Sequence, residues 1–148
     1  MCQRPGGGLD LYLATLTPMK ARILIIEDDG PSLMLAKYLF ESAGYEIATA
    51  RDGAEGVEKA LKLAPDLILC DLQLPRLTGY EVLGQLRRTS AWHRVPIIAV
   101  TASSMIGDRE KVLASGFSGY ISKPIAPTSF VAEAEAFLPD TLGRDSPA

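Results

Sequence analysis

From residue 22 onward, short apolar runs alternate with longer stretches whose apolar positions recur every three or four residues. Arg22 to Ile26, RILII, is a β-branched run that reads as a buried strand. Pro31-Ser32 is a helix start, LMLAKYLFESA has helical length, and Gly44 ends it. Glu46 to Ala50, EIATA, is a weaker strand. Ala54, Val57, Ala60, Leu61 and Ala64 then share one face of an amphipathic helix that Pro65 terminates. Asp66 to Cys70 is a third strand, Tyr80 to Arg88 a helix, and Val95 to Val100 a fourth strand. A helix from about Ile106 to Ser115 stops at Gly116, and GYIS is the fifth strand. Thr128 to Leu138 closes the pattern as a helix with Val131, Ala134 and Leu138 turned inward.

Five strands alternating with five helices predict an α/β fold with a parallel sheet covered on both faces. Parallel strands need crossover helices and are buried on both sides, which is why LILC and PIIAV are continuous rather than alternating. In an open sheet of this kind function gathers at the carboxyl ends of the strands. Those ends carry Glu27-Asp28-Asp29, Asp71, Thr101 and Lys123-Pro124. Each has a plain explanation taken singly: a solvated turn that caps the next helix, an aspartate satisfied by loop amides, an ordinary turn threonine, a surface lysine. Their convergence on one rim of the sheet favours a site.

Carboxylates gathered at one rim oppose one another's ionisation, and a divalent cation relieves the conflict. Mg²⁺ suits this set because it takes oxygen ligands from one or two carboxylates, keeps waters and shares phosphoryl oxygens. On this reading Asp28 and Asp71 are direct ligands and Glu27 holds a metal-bound water. With the Lys123 ammonium and the Thr101 hydroxyl opposite, a phosphoryl group meets charge neutralisation and hydrogen bonds as it transfers. Asp71 is then a carboxylate nucleophile that forms an acyl phosphate.

Length and charge narrow the rest. The chain has 148 residues, 47% of them hydrophobic, enough for one core. A net charge of -3 offers no basic face to nucleic acid or to an anionic membrane. Cys2 and Cys70 lie far apart with no ligand spacing around them, so neither a zinc site nor a disulfide framework is expected. No apolar run approaches the roughly 20 residues that span a bilayer, so a cytoplasmic location is expected. Residues 1–19 read as a flexible leader, with Gly6-Gly7-Gly8 and Pro18 in it and patterned sequence from Lys20, directly after Met19. Asp10 interrupts LDLYLATL, so a signal peptide is rejected, and the start of patterned sequence just after Met19 makes an early start codon or an added segment the expected source of residues 1–18.

IIEDDGPSL, DLILCDLQLPRLTGYEVL, IIAVTA and GYISKPI, in this order and spacing, resemble the response-regulator receiver domain of bacterial two-component signalling. The resemblance covers residues 20–138 and leaves 139–148 as a short polar tail. It implies a flavodoxin-like three-layer sandwich with strand order 2-1-3-4-5. It also implies that Glu27 and Asp28 are the acidic metal pair, Asp71 the phosphoacceptor, Thr101 the switch hydroxyl, Lys123 the phosphate-binding lysine and Tyr120 the switch aromatic. The backbone carbonyl of Gln73 completes the implied protein ligands to Mg²⁺, and a cis bond before Pro124 is implied as well. Thr78 stands where an aspartate or serine is frequent, and Asp29 adds a third acid. Gln73 and Ser103 occupy the positions at which members differ in phosphoryl lifetime.

The implied partners are a sensor histidine kinase or a histidine phosphotransfer protein, and a downstream protein target reached by docking or by phosphorelay. Phosphorylation is expected to repack the fourth helix, fifth strand and fifth helix. The tail, PDTLGRDSPA, is too short for an output domain, so a stand-alone receiver is expected; a receiver cut from a hybrid kinase is the other possibility, and Met19 favours the first. Such a protein phosphorylates itself and loses phosphate slowly, without being an enzyme. The rival enzyme reading is a Mg²⁺-dependent aspartyl-phosphate phosphohydrolase, which needs a second aspartate where Gln73 stands. A flavodoxin-type binder is disfavoured because EDDG after the first strand repels phosphate. A pseudo-receiver is disfavoured by the complete site. Trp92 and His93 are assigned to the far end of the sheet, with His93 a surface residue.

Overall fold

Every predicted strand forms, and the sheet they make is parallel throughout. The computed structural model describes residues 21–88, 95–102 and 108–138. The strands are β1 (Arg22–Ile26), β2 (Glu46–Ala50), β3 (Leu67–Asp71), β4 (Ile97–Thr101) and β5 (Gly119–Ser122). Their order is β2-β1-β3-β4-β5, as the family resemblance implied. The helices between and after them are α1 (Gly30–Ser42), α2 (Gly53–Leu63), α3 (Gly79–Arg87), α4 (Asp108–Ala114) and α5 (Phe130–Glu135). The leader, the tail, Trp92, His93, Ser103 and the expected helix start at Ile106 lie outside the described residues.

Alternate residues of the central strands feed two cores. Leu24, Ile26, Ile68, Cys70, Ile97 and Ala99 face α2, α3 and α4, where Ala60, Val82, Leu86 and Val112 meet them. Ile23, Ile25, Leu67, Leu69, Ile98 and Val100 face α1 and α5, where Leu33, Phe40, Phe130 and Ala134 meet them. Phe40 lies edge-on to Phe130, with ring centroids 5.3 Å apart, joining the two helices of that layer. Each such large side chain removed from water contributes roughly 1.5–3 kcal/mol.

The bounds of β3, β4 and the last helix differ from the sequence reading, each for a local reason. β3 runs one residue later than Asp66–Cys70: at its start the Asp66 carboxylate, in place of a backbone carbonyl, accepts the Arg22 N–H at 2.9 Å, and at its end Asp71 pairs with Val100. β4 starts at Ile97, not Val95: Pro96 has no N–H to give the ladder, although its carbonyl accepts from the Ile68 N–H. Asp71 and Thr101 therefore end their strands from within the ladder, opposite Val100 and Ser122. The last helix is shorter than Thr128–Leu138, since Phe137 and Leu138 bond three residues back, to Ala134 and Glu135, and Ser129 supplies no side-chain cap. Its buried residues are Phe130 and Ala134, with Leu138 buried just beyond its end and Val131 half-buried.

The inward face of α2 agrees with the predicted one at Ala60 and at half-buried Val57 and departs from it at Leu61 and Ala64. Gly53, Gly56 and Ala60 are buried, whereas Leu61 is 56% exposed and Ala64 is a left-handed C-cap with φ 50°. The helix rides so close to the sheet that a Cβ on Gly56 would sit 2.5 Å from Ile26 Cδ1. No helix among the described residues is long and apolar enough to cross a membrane.

Candidate functional site

β1 delivers Glu27 to the carboxyl rim of the sheet. The Glu27 N–H donates to the Ala50 carbonyl at 2.9 Å, and the residue is only 5% exposed. Its Oε2 accepts from the Asp29 N–H at 3.1 Å, which turns the chain so that Asp28 is exposed at the mouth. Asp29 leaves the site: its Oδ2 caps α1 by accepting from the Ser32 N–H at 3.0 Å. The bonds to Ser32 hold the Asp29 carboxyl below the usual carboxylate range. The capping explanation is thus correct for the third acid of the triplet alone.

Asp71 ends β3 buried, with Oδ1 accepting from the Gln73 N–H at 3.0 Å and Oδ2 from Lys123 Nζ at 3.1 Å. The start of α3 presses against this strand end so closely that a Cβ on Gly79 would lie 2.5 Å from the Asp71 carbonyl oxygen. Thr78 fixes that helix start through a capping box with Glu81. Thr101 ends β4 fully enclosed, and its carbonyl accepts from the Lys123 N–H at 2.8 Å. Thr101 also borders a cavity of about 300 Å³ shared with Gln73, Tyr80, Asp108 and Lys111. Lys123 follows β5, and the Lys123–Pro124 bond is cis. Tyr120, half-buried in β5 opposite Ala99, packs against the core under α2, α3 and α4.

The rim is organised around one cation. Lys123 Nζ lies 2.6 Å from Glu27 Oε1 and 3.1 Å from Asp71 Oδ2, so the lysine stands between the acids instead of across from them. The sequence showed the opposing charges but not this pairing, because nothing in a linear pattern reports which acids a rim lysine reaches. Burial is the largest influence on Glu27, and the neighbouring Asp71 adds to it; together they outweigh the bonds from Lys123 and the Asp29 N–H and push Glu27 up to about 7. Burial disfavours the Lys123 ammonium, yet its bonds to Glu27 and Asp71 prevail and hold it above the ordinary lysine value. Cys70, buried beneath the site, is pushed far above the thiol range by desolvation and is unreactive.

One oxygen each from Glu27, Asp28 and Asp71 lies within 4.8 Å of the others. Three carboxylate oxygens so close, with Lys123 alone among the described residues to offset them, suit a hard divalent cation. All the residues expected at the site come to this end of the sheet except Tyr120, which sits within β5 opposite Ala99 and not at the strand's end. Sequence reasoning missed the glycines that let the loops close around it.

Residues 23–135 match the family described as response regulator receiver domain. The chain belongs to that family, the phosphoacceptor component of two-component signalling. It is 38% identical over 122 residues to the polar-differentiation response regulator DivK of Brucella anthropi, covering 82% of this chain and 99% of the relative. DivK from Brucella ovis is equally similar. Among solved structures it resembles chemotaxis response regulator CheY4 of Vibrio cholerae, with TM-score 0.76 and 28% identity over 80% of this chain and 99% of that one. It also resembles the receiver domain of a Pseudomonas aeruginosa sensor histidine kinase, with TM-score 0.73 and 32% identity over 80% of this chain and 97% of that one. That structure has a magnesium ion coordinated in its active-site cleft.

Proposed function

We propose that the chain, over residues 20–138, accepts a phosphoryl group on Asp71 from a phosphohistidine of a sensor kinase or phosphotransfer protein. The single observation that carries this reading is the clustering of the Glu27, Asp28 and Asp71 oxygens within 4.8 Å, with Lys123 bonded to Asp71. Glu27, Asp28, Asp71 and the backbone carbonyl of Gln73 would hold Mg²⁺. Bound there, the ion would neutralise charge on the phosphoryl oxygens during transfer.

The chain's own groups do the rest. A carboxylate oxygen of Asp71 forms a bond to phosphorus as the phosphorus–nitrogen bond of the donor breaks, and the electron pair leaves with the imidazole. Strand β3 fixes Asp71 for in-line attack, and the Gln73 N–H orients its Oδ1. Lys123 is already placed to give up a carboxylate and take a phosphoryl oxygen, and Thr101 supplies a hydroxyl from the end of the neighbouring strand. Gln73 carries no acid or base at the position a phosphohydrolase would use, which favours a persistent acyl phosphate over turnover. The cavity beside Thr101 leaves space for that hydroxyl to shift, and Tyr120 turns inward with it, repacking α4, β5 and α5. Output then passes to a downstream protein by docking, or onward in a relay, without contact to DNA.

Intact-mass measurement after incubation with Mg²⁺ and acetyl phosphate tests the assignment. Wild type gains one phosphoryl group and Asp71→Asn gains none; equal labelling of the two would remove Asp71 as the acceptor.

A further inference from the structure

Strand β2 is the one strand near the rim that contributes no group to the proposed chemistry, yet its end touches both loops that do. Ala50 accepts the Glu27 N–H at 2.9 Å. The next residue, Arg51, reaches across with Nη2 to donate to the Asp28 carbonyl at 3.1 Å. Its own N–H is pinned to Glu55 Oε1 at 2.9 Å, and Glu55 is held in turn by Lys59 at 3.1 Å. On the other side, the Gly53 N–H donates to the Pro75 carbonyl at 3.3 Å, and Asp52 pairs with Arg76 at 3.5 Å. A Cβ on Gly53 would lie 2.3 Å from the Leu77 carbonyl oxygen, so the turn and the loop after β3 are in backbone contact.

We propose that the turn Arg51-Asp52-Gly53 is a clamp, with Arg51 as a positioning residue that fixes the Asp28 loop relative to the loop after Asp71. The proposal rests on the Mg²⁺ reading above and assigns to Arg51 a part in setting metal affinity without touching metal or phosphate. Two carboxylates on separate loops bind one small ion well only if their separation is set beforehand, because Mg²⁺ tolerates little departure from its octahedral geometry. A second shell that orients ligands supplies this. Asp28 is exposed and its loop is short, so its carbonyl bond to Arg51 is a restraint on the side of the loop facing away from β3. Arg51 is itself exposed, and its loss removes no core packing.

The test is calorimetric titration of Mg²⁺ into wild type, Arg51→Ala, Arg51→Lys and Asp28→Asn, alongside thermal unfolding of each in EDTA. Arg51→Ala is expected to weaken Mg²⁺ binding about threefold to tenfold, the scale of one lost hydrogen bond, with its metal-free melting midpoint close to wild type. Arg51→Lys, which keeps one donor, recovers part of the loss. Equal affinity in Arg51→Ala and wild type, or a loss matched by collapse of the metal-free fold, would overturn the clamp while leaving the metal site standing. Wild type that takes up no Mg²⁺, or Asp28→Asn that binds as wild type does, would overturn the site reading and the clamp with it.

Discussion

At Glu27 two opposing demands meet in one side chain. To hold a cation as proposed it would have to be ionised, yet it is almost fully enclosed beside Asp71, with Lys123 as its main relief. Its value of about 7 in the metal-free protein lies well above the ordinary 4.5. Between those values the folded chain holds a proton that the unfolded chain has released, so this group's contribution is complete below about pH 4.5 and is lost as pH rises to about 7. Lys123 is raised too, but its contribution fades only near and above the lysine range, outside this window. Urea unfolding in EDTA is therefore expected to give a stability that declines toward neutral pH by on the order of 2 kcal/mol relative to Glu27→Gln, which cannot titrate. Parallel pH profiles for the two proteins would contradict the burial argument. Saturating Mg²⁺ should flatten the wild-type profile, since the ion takes over the role of the proton.

The elements show where a linear pattern carries structural information and where it does not. Strands and helix order were legible because two-sided burial writes itself as unbroken apolar runs, as in RILII, LILC and IIAV. The site acids were legible for a related reason: a polar residue ending such a run has nowhere to be except the rim. The face of α2 was legible only in part, at Val57 and Ala60, because counting apolar residues treats glycine as blank, although Gly53 and Gly56 are where that helix comes nearest to its neighbours. Two substitutions separate the readings. Leu61→Ala removes an exposed side chain and is expected to change stability by less than about 0.5 kcal/mol. Gly56→Ala introduces the better helix former, yet should cost about 1–2 kcal/mol because Ile26 is fully buried and has no room to yield. Denaturant midpoints of the two variants decide between them; the reverse order would restore the face read from periodicity. The boundary at Pro96 was readable in principle from the missing N–H, whereas the pairing of Lys123 with Glu27 needs the fold.

For the molecule as a whole, the site lies at a seam between two halves that are differently attached to it. On one side β1, β2 and α2 meet the acids through backbone contacts and close packing at Gly53 and Gly56, an arrangement with little slack. On the other, β4 and β5 meet it through Thr101 and Lys123, and Thr101 together with Asp108, Lys111 and Val112 of α4 borders the cavity of about 300 Å³. A phosphoryl group on Asp71 adds acceptor oxygens that Lys123 and Thr101 can bind, and it shifts the protein only as far as it binds the two arrangements differently. Because Lys123 follows β5 directly and Thr101 ends the strand paired with it, any gain at these two groups would, in the proposed function, pass along β4 and β5 to Tyr120 and the α4 face. Amide NMR of the Mg²⁺-loaded protein before and after acetyl phosphate is expected to show shifts concentrated in residues 97–102 and 108–123, with the body of α2 nearly unchanged. Shifts limited to the residues touching Asp71, or spread evenly across both halves, would mean that the slack beside Thr101 is not what converts acylation into a change of surface.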